Sequence, residues 1–315
     1  MFIRDLAPDS LVHSGIVHTL DPQQTVAQAL AIKDGRIIAI GSDAEILPLA
    51  GEHTQHINLQ GRCTIPGIFD SHAHLLEVGI KLTQVRLSER EIRAIGFPIN
   101  EKFVQRGRHI SNGTIQCAMF ALQNGCSMNV AGGTHHAFAD RGEGYCCFND
   151  QAVAANFLLD NGLAHRILIV DLDVHQGNGT AHIFRDEPRV FTFSMHGERN
   201  YPLRKEDSDL DIGLPDGMED EAYLKILREN LPRIADTFQP DFIFYQSGVD
   251  VLASDKLGRL HLSRAGCRER DRIVLSFCQQ QRIPVAVSMG GGYSPRIADI
   301  VEAHANTFRV AQELF

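Results

Sequence analysis

The sequence predicts an α/β protein: a three-layer αβα domain on a parallel sheet, preceded by a small β-rich N-terminal module. Three observations carry this. Residues 11–66 read as short strands punctuated by turn residues. From about Phe103, helical patterns of roughly 12–20 residues alternate with short apolar runs. Such alternation builds a parallel sheet covered by helices on both faces. Third, the polar residues of interest fall just after those runs, at the strand ends where open α/β sheets bind ligands.

In the N-terminal text, Leu11 to Thr19 is a β-rich stretch ending at Asp21-Pro22. Residues 27–33 and 36–40 are apolar runs joined by Asp34-Gly35, a strong hairpin signal because both turn residues must take positive φ. Ser42 is placed to cap a helix over 43–50 that stops at Gly51. Further strands are expected near 54–59 and 63–65. In the second text, strands are expected at 128–131, 166–170, 190–194, 242–245 and 285–289. Helices are expected near 103–124, 148–162, 219–237, 263–281 and 294–313.

The strand ends lead to Gly132-Gly133-Thr134-His135-His136, to Asp171-Leu172-Asp173-Val174-His175, to Met195-His196, to Ser247-Gly248-Val249-Asp250 and to Gly290-Gly291-Gly292-Tyr293. A single Asp or His after a strand is ordinarily a turn residue. Five such ends, most beside glycines that admit a ligand close to the backbone, make a site. Asp173, His175 and Asp250 supply two carboxylates and an imidazole. Zinc accepts O and N ligands, and a catalytic zinc keeps one position open. In an extended Asp-x-His segment the two side chains share one side, so both reach one ion while Val174 packs away. Iron or another divalent metal also suits O and N donors.

Of the 315 residues, 43% are hydrophobic and 22% charged, a globular balance that excludes a disordered chain. The net charge of −9 argues against direct nucleic-acid binding, which needs clustered positive charge, and suits a cationic substrate. No apolar run approaches the ~18 residues of a membrane span. The start, Met1-Phe2-Ile3-Arg4-Asp5, carries an early acid, so no signal peptide is expected. The cysteines at 63, 117, 126, 146, 147, 267 and 278 contain no CxxC pair, which fits reduced thiols in a cytoplasmic protein. Adjacent Cys146 and Cys147 are expected to pack rather than bridge. Asp207-Ser208-Asp209 and Glu219-Asp220-Glu221 are expected as solvated loop and helix-start acids. His13, His18, His53, His56 and His304 form no constellation.

The region from about Leu87 to the C-terminus resembles the histone deacetylase family of the arginase–deacetylase superfamily, closest to its class IV branch and bacterial relatives. The resemblance rests on Arg93-Ala94-Ile95-Gly96-Phe97-Pro98, AGGTHHAF at 131–138, GEGYCCFND at 142–150 and VDLDVHQGNGTA at 170–181. It continues with FTFSMHGERNYP at 191–202, YQSGVDVLASDKLGRL at 245–260 and GGGY at 290–293. It implies the arginase–deacetylase fold and a zinc held by Asp173, His175 and Asp250. His135 and His136 would be tandem catalytic histidines, with His135 oriented by Asp171. Asn178 stands where the family commonly has Asp; the class IV branch has Asn there, so the departure fits that branch. Tyr293 would donate its hydroxyl to the scissile carbonyl. Gly144, Tyr145 and Tyr201 would line an acyl-lysine tunnel. Asp171, Ser194 and Met195 would contribute to a monovalent-cation site, for potassium, behind the zinc. The implied substrate is an acylated lysine or an acylated polyamine.

The chemistry agrees with these residue types. Amide hydrolysis needs an activated water, a polarised carbonyl and a protonated leaving amine. Zinc supplies the first two, and a histidine near neutral pKa moves the proton. A phenol aimed at the developing oxyanion contributes on the order of 3 kcal/mol. Asn beside His136 holds its orientation but stabilises imidazolium less than a carboxylate.

The N-terminal text resembles the start of a metal-dependent amidohydrolase, through VHSGIVHTLD at 12–21, AIKDGRIIAIG at 31–41 and INLQGRCTIPGIFDSHAHL at 57–75. That family binds metal with the His-x-His of Asp70-Ser71-His72-Ala73-His74. A (β/α)₈ barrel takes about 250 residues, and here the text changes near Arg90, so the resemblance implies an amidohydrolase-like fragment. The chain reads as a chimera, with the module over 1–75, a junction at 76–90 and the deacetylase-like domain over 91–315. Residues 1–75 occupy the place of the family's own first segment, so a sheet edge is expected to lie open to self-association. The leading function is a zinc-dependent deacylase. Against it stand an inactive or acyl-binding protein with an incomplete fold, and an amidohydrolase using His72 and His74.

Overall fold

The structure, a computed structural model, describes residues 7–19, 25–64 and 89–315. The chain divides into two compact units, Met1–Leu82 and Thr83–Phe315. The His72 and His74 segment lies outside the described residues.

The first unit holds β1 (Ser10–His13), β2 (Ile16–His18), β3 (Val26–Ala27), β4 (Ala29–Lys33) and β5 (Arg36–Gly41). They are followed by α1 (Asp43–Ile46), β6 (Gln55–Asn58) and β7 (Cys63–Thr64). They form two sheets, β5-β4-β1-β6 and β3-β2-β7. Asp34 and Gly35 take φ of 49° and 71°, as the β4–β5 hairpin requires. Two expectations are corrected. The stretch 11–19 is not one strand, because Ser14 turns to positive φ and sends the chain from one sheet to the other. The helix expected over 43–50 is α only to Ile46, and Leu47–Leu49 tightens to a 3₁₀ turn around Pro48, which has no N–H to donate. Leu11, Ala29, Ala31 and Ile46 form a small core in this unit.

The second unit begins with α2 (Glu89–Ile95), α3 (Glu101–Asn124), β8 (Cys126–Asn129), α4 (Asp150–Asp160), β9 (Ile167–Asp171) and α5 (Asn178–Phe184). It continues with β10 (Val190–Gly197), β11 (Leu210–Leu214), α6 (Asp220–Phe238), β12 (Phe242–Ser247), α7 (Arg264–Gln281), β13 (Val285–Met289) and α8 (Ile297–Leu314). The six strands lie in the order β11-β10-β9-β12-β13-β8, every pair parallel. Period-two alternation sends neighbouring residues to opposite faces. Leu168, Val170, Ile243, Tyr245, Val285 and Val287 pack under α6, α7 and α8. Ile167, Ile169, Phe242, Phe244 and Ala286 pack under α3, α4 and α5. Burying each large side chain in these cores stabilises the fold by about 1.5–3 kcal/mol. The result is a three-layer α/β/α domain.

β8 stops at Asn129, short of the expected Ala131, because the Asn129 side-chain carbonyl accepts the Ala131 N–H at 3.1 Å and turns the chain. α2, α5 and β11 have no counterpart among the expected elements. No helix among the described residues is long and apolar enough to cross a membrane. Strand order reverses between β9 and β12, and the crevice at the carboxyl ends of such a pair is where this class of sheet binds ligands.

Candidate active site

Asp173, His175 and Asp250 meet in that crevice. They offer one ligand atom each within 4.8 Å of one another, and are 1%, 8% and 0% exposed. His175 Nδ1 lies 3.1 Å from Asp173 Oδ1 and 3.1 Å from Asp250 Oδ2. The segment carrying Asp173 and His175 is not the extended strand expected. It bends after Asp171, because Asp173 Oδ1 accepts the His175 N–H at 3.0 Å. The bend still aims both side chains at one point, while Val174 turns into the core and donates its N–H to Asp250 Oδ1 at 2.9 Å. Glycines make room for the carboxylates. A Cβ on Gly248 would stand 2.3 Å from Asp173 Oδ2, and one on Gly291 2.0 Å from Asp250 Oδ2. Two buried carboxylates and an imidazole, with glycine backbone pressed against them, fit a zinc ion with an open position.

His135 and His136 follow β8 and reach the trio, their ring centroids 4.1 Å apart. His135 Nδ1 is held by Asp171 Oδ2 at 2.7 Å, and its Nε2 lies 3.9 Å from Asp173 Oδ1. His136 Nδ1 is held by Asn178 Oδ1 at 2.7 Å. The two rings differ electrostatically. Burial opposes charge on His135, but the Asp171 carboxylate outweighs it and the group is pushed up to about 9. Burial, reinforced by the charge on His135, holds His136 well below the ordinary imidazole value. Asp250 is pushed up to about 7 by burial and by the Asp173 carboxylate beside it. Burial, with both carboxylates close by, raises the Tyr293 hydroxyl, so it stays a proton donor.

Tyr293 sits 6.4 Å from His175 by ring centroids, and its N–H is fixed by Asp255 Oδ2 at 2.6 Å. Tyr201 packs edge-on against His136 at 5.0 Å. Tyr145, at φ 67°, packs between Phe97 at 5.0 Å and Tyr293 at 6.5 Å. Gly144 lies against the His136 ring, where a Cβ would stand 2.6 Å from Cδ2. Ser194 pairs with Asp171 across β10 and β9, but its hydroxyl is engaged with His196 Nδ1 at 2.9 Å. Met195 is fully buried.

Three groups around the site had not been singled out. Asp150 accepts from Thr134 N and Oγ1 at 2.7 and 2.6 Å and from Thr114 Oγ1 at 2.7 Å, which braces the loop carrying the histidines. Glu143, inside the 142–150 motif, accepts from Asn178 and Tyr201. Arg270, fully buried, donates to the carbonyls of Leu172 and Gly248, between the ligand loops. Only Glu143 and Asp150 lay within a motif. Asp209, expected as a solvated loop acid, is exposed, and its Oδ2 also accepts from Thr192 N and Oγ1 at 2.8 and 2.9 Å. All seven cysteines are free, Cys146 and Cys147 included.

Comparison with known proteins completes the picture. Residues 71–308 match the family described as the histone deacetylase domain. An uncharacterized protein of Picosynechococcus is 47% identical over 232 residues, 74% of this chain and 77% of its own. Histone deacetylase 2 of Arabidopsis thaliana is 33% identical over 65% of this chain and 54% of its own. Histone deacetylase clr6 of Schizosaccharomyces pombe is 33% identical over 60% of this chain and 48% of its own. The chain thus spans about half the length of these two eukaryotic relatives. The crystal structure of the HDA15 HD domain superposes with a TM-score of 0.63 at 23% identity, covering 80% of this chain and 78% of that one, so the fold is shared.

Proposed function

The chain belongs to the histone deacetylase family, and from that membership we propose that it is a zinc-dependent deacylase acting on an acyl-lysine or a similar cationic amide. One observation carries the reading. Two tandem histidines, one tied to a carboxylate and one to an amide, face a buried Asp-His-Asp trio with a tyrosine hydroxyl donor beside it.

Zinc on Asp173, His175 and Asp250 would lower the pKa of a water and polarise an amide carbonyl. The remaining chemistry belongs to the protein. His136, neutral because it is buried, takes a proton from the attacking water and returns it to the leaving amine. His135, its Nδ1 tied to Asp171 at 2.7 Å, turns its Nε2 toward the trio, where a hydrogen on it would stabilise the negative charge that develops. Tyr293 donates its hydrogen to the carbonyl oxygen as that oxygen becomes an oxyanion. Tyr145 and Tyr201 flank the approach with aromatic faces that suit an alkyl stem and a cation. Asp171, Ser194 and Met195 are the residues we assign to potassium behind the site.

The test is calorimetric titration of the zinc-loaded chain with a simple aliphatic hydroxamate, alongside hydrolysis of a short acetyl-lysine peptide. Tight binding that disappears in Asp173→Asn, together with turnover, is the expected result. Stable zinc loading without turnover favours an acyl-binding protein instead. Failure of a folded, zinc-loaded chain to bind hydroxamate overturns the reading.

A further inference from the structure

Glu143 lies in a turn whose backbone is held on two sides. Glu143 and Cys146 exchange N–H···O bonds at 3.0 and 2.9 Å, and the next two N–H groups, of Gly144 and Tyr145, reach the Ala94 and Ile95 carbonyls of α2 at 3.0 and 2.8 Å. Its side chain, 20% exposed, points at Asn178. Oε1 accepts the Asn178 Nδ2 hydrogen at 2.8 Å and the Tyr201 hydroxyl at 2.6 Å, while Oε2 lies 3.7 Å from Arg141 Nε.

An asparagine amide has a donor side and an acceptor side of nearly equal shape, so packing alone does not decide which way it faces. A carboxylate is acceptor only. With Glu143 on one side, Asn178 must turn its NH₂ to Glu143 and its carbonyl to His136. His136 Nδ1, 2.7 Å from that carbonyl, must then carry the hydrogen. In a neutral imidazole the lone pair is then on Nε2, the nitrogen free to accept a proton. We propose that Glu143 is a positioning residue that selects the Nδ1–H tautomer of His136 through Asn178, and so sets which nitrogen is the base. The catalytic consequence rests on the deacylase reading; the tautomer does not.

Glu143→Gln changes one atom and adds a donor. Asn178 can then face either way, and part of the population places its NH₂ against His136 Nδ1, moving the hydrogen to Nε2. Asn178→Asp, by contrast, needs no help to accept from Nδ1, but sets two carboxylates against each other where an amide had donated at 2.8 Å. In the double variant, Glu143→Gln with Asn178→Asp, the new amide donates to the new carboxylate and the conflict is gone. The two substitutions should therefore each harm the protein and repair one another.

The experiment uses the zinc-loaded chain labelled with ¹⁵N-histidine, with His136 assigned by comparison with His136→Gln. Long-range ¹H–¹⁵N spectra should show the Nδ1–H form in the parent and in Tyr201→Phe, which removes only the second bond to Oε1. They should show Nε2–H signal in Glu143→Gln and return to Nδ1–H in the double variant. On an acetyl-lysine peptide, kcat of Glu143→Gln should fall by the same factor as the Nδ1–H fraction read from its spectrum, since a histidine base held wholly in the wrong tautomer loses up to ~10⁴-fold. The double variant should recover most of that loss. An unchanged His136 tautomer in Glu143→Gln, or a double variant no better than the worse single one, overturns the inference. Should Glu143→Gln fail to fold, Glu143→Met, which removes the acceptor facing Asn178 Nδ2 without adding a donor, takes its place, and an unchanged His136 tautomer there overturns the inference equally. Spectra that switch as described, from a parent that hydrolyses no acyl-lysine, count against the deacylase reading and leave this inference standing.

Discussion

Replacing Arg270 with Met tests whether the trio is held from behind by a buried cation. Arg270 is fully buried. Its Nη1 donates to Leu172 O at 3.1 Å and to Gly248 O at 2.5 Å, while Nε and Nη2 bind Asp271 Oδ1 at 3.0 and 2.8 Å. Asp271 is in turn held by the Tyr245 hydroxyl at 2.5 Å and Thr307 Oγ1 at 2.7 Å. Removing one partner of a buried ion pair costs about 3–5 kcal/mol, and two abandoned carbonyls act in the same direction at ~1–3 kcal/mol each. These effects overlap, so the expected loss is about 4 kcal/mol, seen as a lower urea midpoint. At roughly 2–4 °C per kcal/mol for a domain of this size, Tm falls by about 8–16 °C. Leu172 and Gly248 flank Asp171, Asp173 and Asp250, so zinc affinity, measured by competition with a chelating dye, should also fall ~10–100-fold, as for other outer supports of metal ligands. A second variant separates the two effects. Arg270→Met with Asp271→Leu removes the stranded carboxylate and should recover at least about 2 kcal/mol, yet leave zinc weakly held because both carbonyls remain unpaired. A single variant within about 1 kcal/mol of the parent, or one with unaltered zinc affinity, would refute the reasoning.

Three further outcomes follow from the geometry. Tyr293→Phe should lower kcat on an acetyl-lysine peptide by about 10²–10³-fold with zinc affinity unchanged, checked by the same dye competition. Gly248→Ala should abolish zinc binding in calorimetry, because the new Cβ falls 2.3 Å from Asp173 Oδ2. The pH profile has a definite sign: His136 works unprotonated and burial lowers its pKa, so the acid limb of kcat/KM should lie below the ordinary imidazole value of 6.5. An acid limb above that value would mean that another group controls the rate.

Much of the second unit was legible because its pattern is redundant. β9, β12 and β13 are buried on both faces, so each reads as an unbroken apolar run bounded by turns. The hairpin at Asp34-Gly35 was legible from two residues, since few pairs tolerate positive φ twice. β11 was not, because Leu-Asp-Ile-Gly-Leu is an edge strand whose alternating exposed positions leave no apolar run. Arg270 and Asp271 were hidden for another reason. They lie in Arg268-Glu269-Arg270-Asp271-Arg272, where five charges in a row read as a solvated helix face. Only the packing of α7 against the sheet reveals that Arg270 and Asp271 are fully buried. The site trio was legible from residue types after strands, whereas Glu143 was not. Its role depends on a contact 35 residues away in sequence, which no local pattern encodes.

Every side chain given a chemical role follows the carboxyl end of a strand or packs against one, and this gives the domain a working end and a blank end. At the blank end, the turn between α4 and β9 runs through exposed Asn161, Gly162 and Leu163, and a methyl group placed on Gly162 would meet nothing within 4 Å. The incoming strand is anchored separately, by Asp241 accepting the His165 and Arg166 N–H groups at 2.8 and 2.9 Å. A tag, a fluorophore or a surface tether spliced in at Gly162 would therefore leave the domain immobilised with its chemistry facing outward.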